Sequence, residues 1–179
     1  CSGDFLLVLR RIDHKGSLLA RGVIKAIDGP AQVVYRLFAV LGSAEQVAII
    51  KRLYSQYPHA LRLVDPVMGD GGEIYATYTP ELCEAMGTLV DGADVLMPNL
   101  TEASILTKRT YPGRDLSDAE VDDMIDALLD LGAKNVVLKG IDHDDGTIRN
   151  YVASADSGAS GKQELAHIKL PFMTHGTGD

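Results

Sequence analysis

The chain has 179 residues, 46% of them apolar and 23% charged, with a formal net charge of −8. Those proportions sit near the globular average, which argues against extensive disorder and fits one domain with a core of its own. The negative charge argues against a nucleic-acid or anionic-membrane surface, and no apolar run approaches the roughly 20 residues of a membrane span.

The chain contains two cysteines, Cys1 and Cys83, with no CxxC and no metal-ligand spacing. A reduced pair of thiols in the cytoplasm is the expectation. The N-terminal CSGDFLLVLRR has a short apolar run but no basic region before it, a poor match to a signal peptide.

Taken in chain order, residues 1–32 show no clean period, although FLLVLRR has the composition of a strand. VVYRLFAVL (33–41) predicts a strand. SAEQVAIIKRLYSQY (43–57) predicts a helix with Val47, Ile50, Leu53 and Tyr54 on one face, opened by a capping box of Ser43 and Gln46. LRLVDP (61–66) predicts a second strand ended by Pro66. TPELCEAMGTLV (79–90) predicts a helix capped by Thr79 with Pro80 at its first position. ADVLMP (93–98) reads as a strand and NLTEASIL (99–106) as a short helix. SDAEVDDMIDALLDLG (117–132) is a strongly patterned helix with a Ser117/Glu120 box and Gly132 at its end. KNVVLKG (134–140) is a buried-type strand, TIRNYVAS and ELAHIKL are later strands, and SADSGASGKQ (154–163) predicts a mobile loop. Strands alternating with helices of this length predict a parallel sheet covered on both faces.

In such sheets ligands bind beyond the carboxyl ends of the strands. The loop after LRLV carries Asp65 and Asp70, and the loop after ADVLM carries Asn99 and Glu102. Lys139 and Gly140 follow NVVL, and HGTGD (175–179) follows another strand-like run. Together these segments bring acids, a lysine and a glycine-rich turn to one rim. Hard oxygen donors beside a backbone anion nest suit Mg2+ and a phosphate chain. Each residue also has a plainer reading. Asp65 can be a strand-end turn former, DGG at 70–72 a turn, and Glu102 the partner of Asn99 in a capping box. Lys139 can be a solvated surface charge, and His175 is left without a role. The specificity lies in the combination and its order.

LGSAEQ, DPVMGDGGEIY, PNLTEASIL, VVLKG and HGTGD, in this order, resemble the pyridoxal kinases of the ribokinase-like superfamily, from about residue 33 to the end. The resemblance implies a three-layer α/β/α sandwich with a mostly parallel central sheet, as one domain over 1–179. It implies transfer of the γ-phosphoryl group of ATP to the 5′-hydroxymethyl of pyridoxal, pyridoxine or pyridoxamine. Asp179 matches the family's general base, which also touches the substrate, and Gly176, Thr177 and Gly178 match its anion hole. Asp65, Asp70 and Glu102 match acidic positions around Mg2+, with a monovalent cation nearby. Asn99, Glu102, Lys139, Thr177 and Gly178 fall on the ATP side, and a homodimer is usual in this branch. The hydroxymethylpyrimidine kinases share the DPVM start but typically lack the GD that follows and end the later motif in Cys, so Asp70 and Asp179 favour the pyridoxal branch.

The sequence departs from that pattern at Ala39 and Val40, where the family has Gly-Tyr and the tyrosine lines the substrate pocket. Met97 stands where a threonine commonly precedes the PN motif, and residues 1–32 do not match the family's N-terminal part. Family members continue past the GTGD motif, so the chain is expected to be a truncated representation at its C-terminus. Two other readings remain open: a hydroxymethylpyrimidine or other small-alcohol kinase, and a non-catalytic relative that binds nucleotide or vitamer.

Overall fold

The computed structural model describes residues 41–169 apart from 114, together with the backbone of three earlier strands. Those strands are β1 (Asp4–Leu6), β2 (Lys25–Ile27) and β3 (Val34–Leu37). From there the chain runs through α1 (Ala44–Gln56), β4 (Leu61–Val64), β5 (Gly69–Asp70), β6 (Glu73–Ile74), α2 (Pro80–Gly87) and β7 (Val95–Leu96). It continues with α3 (Leu100–Leu106), α4 (Asp118–Asp130), β8 (Asn135–Asp142), β9 (Thr147–Ser154) and β10 (Gln163–Ile168).

The central sheet has six strands in the order β10-β9-β8-β7-β4-β3. The pairs β3–β4, β4–β7 and β7–β8 are parallel, each joined by a crossover containing helix, whereas β8–β9 and β9–β10 are antiparallel. The described chain is therefore an α/β fold with the mostly parallel central sheet that was expected, and its antiparallel part is a meander at one side. β1 and β2 form a separate antiparallel pair, as do β5 and β6.

Local sequence explains most of the elements. On α4, Val121, Met124, Ile125 and Leu128 are buried, the i, i+3, i+4, i+7 stripe of an amphipathic helix. Its N-cap Ser117 and Glu120 close a capping box as expected, and Thr79 Oγ1 accepts from the Leu82 amide at the start of α2. The box expected on α1 does not form. Ser43 makes no side-chain cap bond, and Gln46 Oε1 accepts instead from the Gly42 amide at 2.7 Å. Leu41, Val64, Met68, Met86, Leu96, Ile125, Leu128 and Leu138 are fully buried and form one core with Tyr151.

β8 does not end at Gly140 as its sequence suggests. Val136 and Leu138 point inward, the register shifts between Leu138 and Ile141, and Ile141 is the next buried residue. This is a β-bulge, and Gly140 supplies its left-handed backbone at φ +71°. The 154–163 segment is also not a free loop. Ala159–Gly161 forms a 3-10 turn with Ala159 buried, its amide donating to Asp126 Oδ1 at 2.8 Å, and Lys162 pairs with Asp122. Both acids lie on α4, so that helix holds the segment in place. Cys83 is a free, buried thiol. Among the described residues no helix is long and apolar enough to cross a membrane.

Candidate active site

The parallel strands β4, β7 and β8 place three sequence segments side by side at the rim where β4 and β7 end. Asp65 leaves β4 directly, Asn99 follows β7 after Met97 and Pro98, and Lys139 stands at the bulge of β8. The β7–β8 pairing extends through a parallel bridge between Asn99 and Lys139, whose amide donates to the Pro98 carbonyl at 2.9 Å. The Lys139 ammonium then reaches across to Asp65 Oδ1 at 2.8 Å. Both side chains are largely removed from solvent, 19% and 14% exposed. Lys139 is thus no solvated surface charge.

Glu102 stands on α3 within electrostatic reach of this pair and is 2% exposed. Its Oε2 accepts from the Asn99 amide, and Asn99 Oδ1 accepts from the Glu102 amide, both at 2.8 Å. This is a complete capping box, so the plainer reading of Glu102 holds. The same carboxylate also faces the rim. Its Oε1 accepts from the Met68 amide at 3.2 Å, and it interacts electrostatically with Lys139 and Asp65. Burial pushes its pKa up from 4.5 to about 7, partly offset by the Asn99 amide, Lys139 and the Met68 amide, while Asp65 adds to the rise.

The DGG segment is a turn, again as the plainer reading has it. Gly71 and Gly72 have φ of +58° and +86°, the signature of a type I′ hairpin joining β5 to β6. Asp70 is exposed, and its Oδ1 accepts from the next residue's amide, Gly71, at 2.8 Å. The hairpin is held by the first turn of α3. Asn99 Nδ2 donates to the Gly69 carbonyl at 2.9 Å, and the Gly72 amide donates to Thr101 Oγ1 at 2.8 Å. Gly69 is obligatory for packing, because a Cβ there would come within 2.4 Å of the Glu73 carbonyl oxygen.

Of the residues expected from sequence, the structure brings Asp65, Asn99, Glu102 and Lys139 together and sets Asp70 on the neighbouring hairpin. Val40, Gly176, Thr177, Gly178 and Asp179 lie outside the described residues, as do Ala39 and His175. Sequence reasoning passed over Thr101 and Tyr111, whose ring lies against Gly72. Thr101 stood inside the PNLTE motif, where a hydroxyl between two capping residues was the available signal.

Among the described residues no three histidine, cysteine, aspartate or glutamate side chains form a group that could hold a metal ion. Asp65 is already neutralised by Lys139. A donor set of one or two carboxylates fits Mg2+ delivered with a nucleotide, since that ion keeps several waters and takes phosphate oxygens as ligands.

The model of the phosphomethylpyrimidine kinase family matches residues 38–179. The chain belongs to this family. Its relatives include the hydroxymethylpyrimidine/phosphomethylpyrimidine kinase of Haemophilus influenzae, 27% identical over 158 residues, which are 87% of this chain and 56% of the relative. The pyridoxal kinase of Dictyostelium discoideum is 32% identical over 94 residues, 52% of this chain and 29% of that protein. Among solved structures, the pyridoxal kinase of Lactobacillus plantarum aligns with a TM-score of 0.66 at 28% identity, covering 81% of this chain and 48% of its own. The chain spans about half the length of its relatives, or less.

Proposed function

We propose that the protein of which this chain is part phosphorylates the 5′-hydroxymethyl group of pyridoxal or a related B6 vitamer, using ATP. The observation that carries the reading is the rim cluster of Asp65, Lys139, Asn99 and Glu102, built from three strand ends of a fold shared with pyridoxal kinases. Asp70 and the GTGD motif at 176–179 support the pyridoxal branch.

In this reading the Lys139 ammonium neutralises charge on the transferring phosphoryl group, and the amides of Gly176, Thr177 and Gly178 cradle it. Positioning and charge neutralisation carry most of phosphoryl transfer, because the loose transition state needs little covalent help. Asp179 accepts the proton of the attacking hydroxyl. Asn99 and Glu102 fix the rim backbone on the nucleotide side, and Mg2+ delivered with the nucleotide would be met by one or two of the acids Asp65, Asp70 and Glu102, directly or through its waters. When bound, Mg2+ supplies charge neutralisation of the nucleotide's phosphates, with a monovalent cation adjacent. A homodimer belongs to the same proposal, as does substrate contact at Val40, which matches the family position of the pocket tyrosine.

The second reading is a hydroxymethylpyrimidine kinase, favoured by the match to the Haemophilus influenzae enzyme over 87% of this chain. Incubation of the full-length protein with ATP, Mg2+ and each alcohol, with product identified by mass, decides between them. Formation of pyridoxal 5′-phosphate supports the first reading. Exclusive formation of the pyrimidine monophosphate supports the second, and binding without turnover points to a non-catalytic relative.

A further inference from the structure

We propose that Thr101 is a positioning residue for Asp70, holding the tip of the 69–74 hairpin against α3; the proposal rests on the kinase reading above. β5 and β6 have two residues each, far too short to be stable as a free hairpin. What fixes them is α3. Glu102 Oε1 and Asn99 Nδ2 hold the backbone at Met68 and Gly69, where the chain enters the hairpin. The Tyr75 amide donates to the Met68 carbonyl at 3.0 Å and closes the base.

At the tip, the Gly72 amide donates to Thr101 Oγ1 at 2.8 Å. Thr101 is 3% exposed, so water has little access to replace its hydroxyl. The Tyr111 ring lies against the same residue; a Cβ on Gly72 would come within 2.5 Å of it. Asp70 lies between the two held points, Gly69 and Gly72, and among the described residues its own carboxylate bonds only within the turn, to Gly71. Its location relative to Asp65, Lys139 and Glu102 is therefore set by the backbone, and at the tip by the hydroxyl of Thr101. Removing that hydroxyl leaves the base tethered and lets the tip swing.

The test uses the full-length protein and a cycle of Thr101→Val, Thr101→Ser, Asp70→Asn and the double variant. Hydrogen exchange at the Gly72 amide in unliganded protein reads the clamp, and kcat/KM for the phosphorylated alcohol reads the positioning. T101V should speed Gly72 exchange and lower kcat/KM by about tenfold each, with T101S close to wild type in both. In the Asp70→Asn background T101V should change kcat/KM by less than about twofold, because the residue it positions is already gone. Unchanged exchange in T101V overturns the clamp. Equal losses of kcat/KM with and without Asp70 overturn the positioning role and leave a structural one. If T101V folds poorly, Thr101→Ala takes its place, since it also removes the hydroxyl and suits a helix. Absence of turnover with any alcohol sinks the kinase reading and the catalytic half of this proposal, whereas the exchange result still decides the clamp.

Discussion

Lys139 Nζ stands 2.8 Å from Asp65 Oδ1, an ion pair that joins the bulge of β8 to the end of β4 across 74 residues of sequence. Both partners are mostly buried, so each would carry a desolvation cost without the other. In the kinase reading this pair is also where a nucleotide's phosphates and its metal would arrive. One ammonium then serves two settings: it neutralises Asp65 in the free protein and phosphate oxygens in the complex.

Lys139→Met should therefore act on both stability and turnover. Leaving Asp65 largely buried without its cation should cost about 1–3 kcal/mol of unfolding free energy, read by urea denaturation. Loss of a preorganised charge at the phosphoryl group should lower kcat by about 100-fold or more. Lys139→Arg should restore stability better than activity, since the planar guanidinium suits a carboxylate but does not place a point charge in the same spot.

Glu102 gives a pH dependence. Its folded pKa of about 7 lies above the ordinary 4.5, so the folded protein binds this proton more tightly than the unfolded chain does. Stability from this group is present on the acid side, is lost as pH rises from about 4.5 to 7, and is flat above that. Urea midpoints of unliganded protein measured across that window should decline through Glu102, and Glu102→Gln should flatten the decline. Glu102→Gln should also weaken the start of α3, because an amide cannot accept from both the Asn99 and Met68 backbone groups through its NH2 side.

Asn99 carries two separate bonds, and one substitution separates them. In Asn99→Asp the side chain still accepts from the Glu102 amide but can no longer donate to the Gly69 carbonyl. The variant should keep the cap, lose the hairpin anchor and lie about 1–3 kcal/mol below wild type in chemical denaturation. A stability equal to wild type would show that the Gly69 anchor contributes nothing.

Gly69→Ala puts a methyl carbon within 2.4 Å of the Glu73 carbonyl oxygen, a backbone atom that cannot yield without opening the hairpin. Gly72→Ala combines a φ of +86° with a clash against the Tyr111 ring. Each should lower the thermal midpoint measurably, by roughly 2–3 kcal/mol in stability, with the Gly72 variant relieved in part by Tyr111→Ala. Differential scanning calorimetry of the three variants checks this.

What the sequence made legible was local. The Ser117/Glu120 and Asn99/Glu102 boxes could be read because both partners lie within one helical turn. The stripe Val121, Met124, Ile125, Leu128 is similarly a matter of period. Readings that depended on distant partners fared differently. The Lys139–Asp65 pair depends on β8 and β4 flanking β7, and neither segment carries a sign of the other. The bulge after Leu138 lets β8 run on into an antiparallel meander, which a glycine in a strand hints at without fixing. The polar 154–163 segment reads as mobile in sequence because its anchors, Asp122 and Asp126, sit more than thirty residues upstream on α4. On α1 the choice between Ser43 and Gly42 as partner for Gln46 was a geometric one between adjacent residues.

The claim that a B6 vitamer is the acceptor is tested most directly by kcat/KM of the full-length protein for pyridoxal and for hydroxymethylpyrimidine, each with saturating ATP and Mg2+. The account predicts phosphorylation of pyridoxal with a specificity constant at least about tenfold higher, because Asp70 and the GTGD motif match the pyridoxal branch. A preference for hydroxymethylpyrimidine, or turnover of neither alcohol by correctly folded protein, would contradict it.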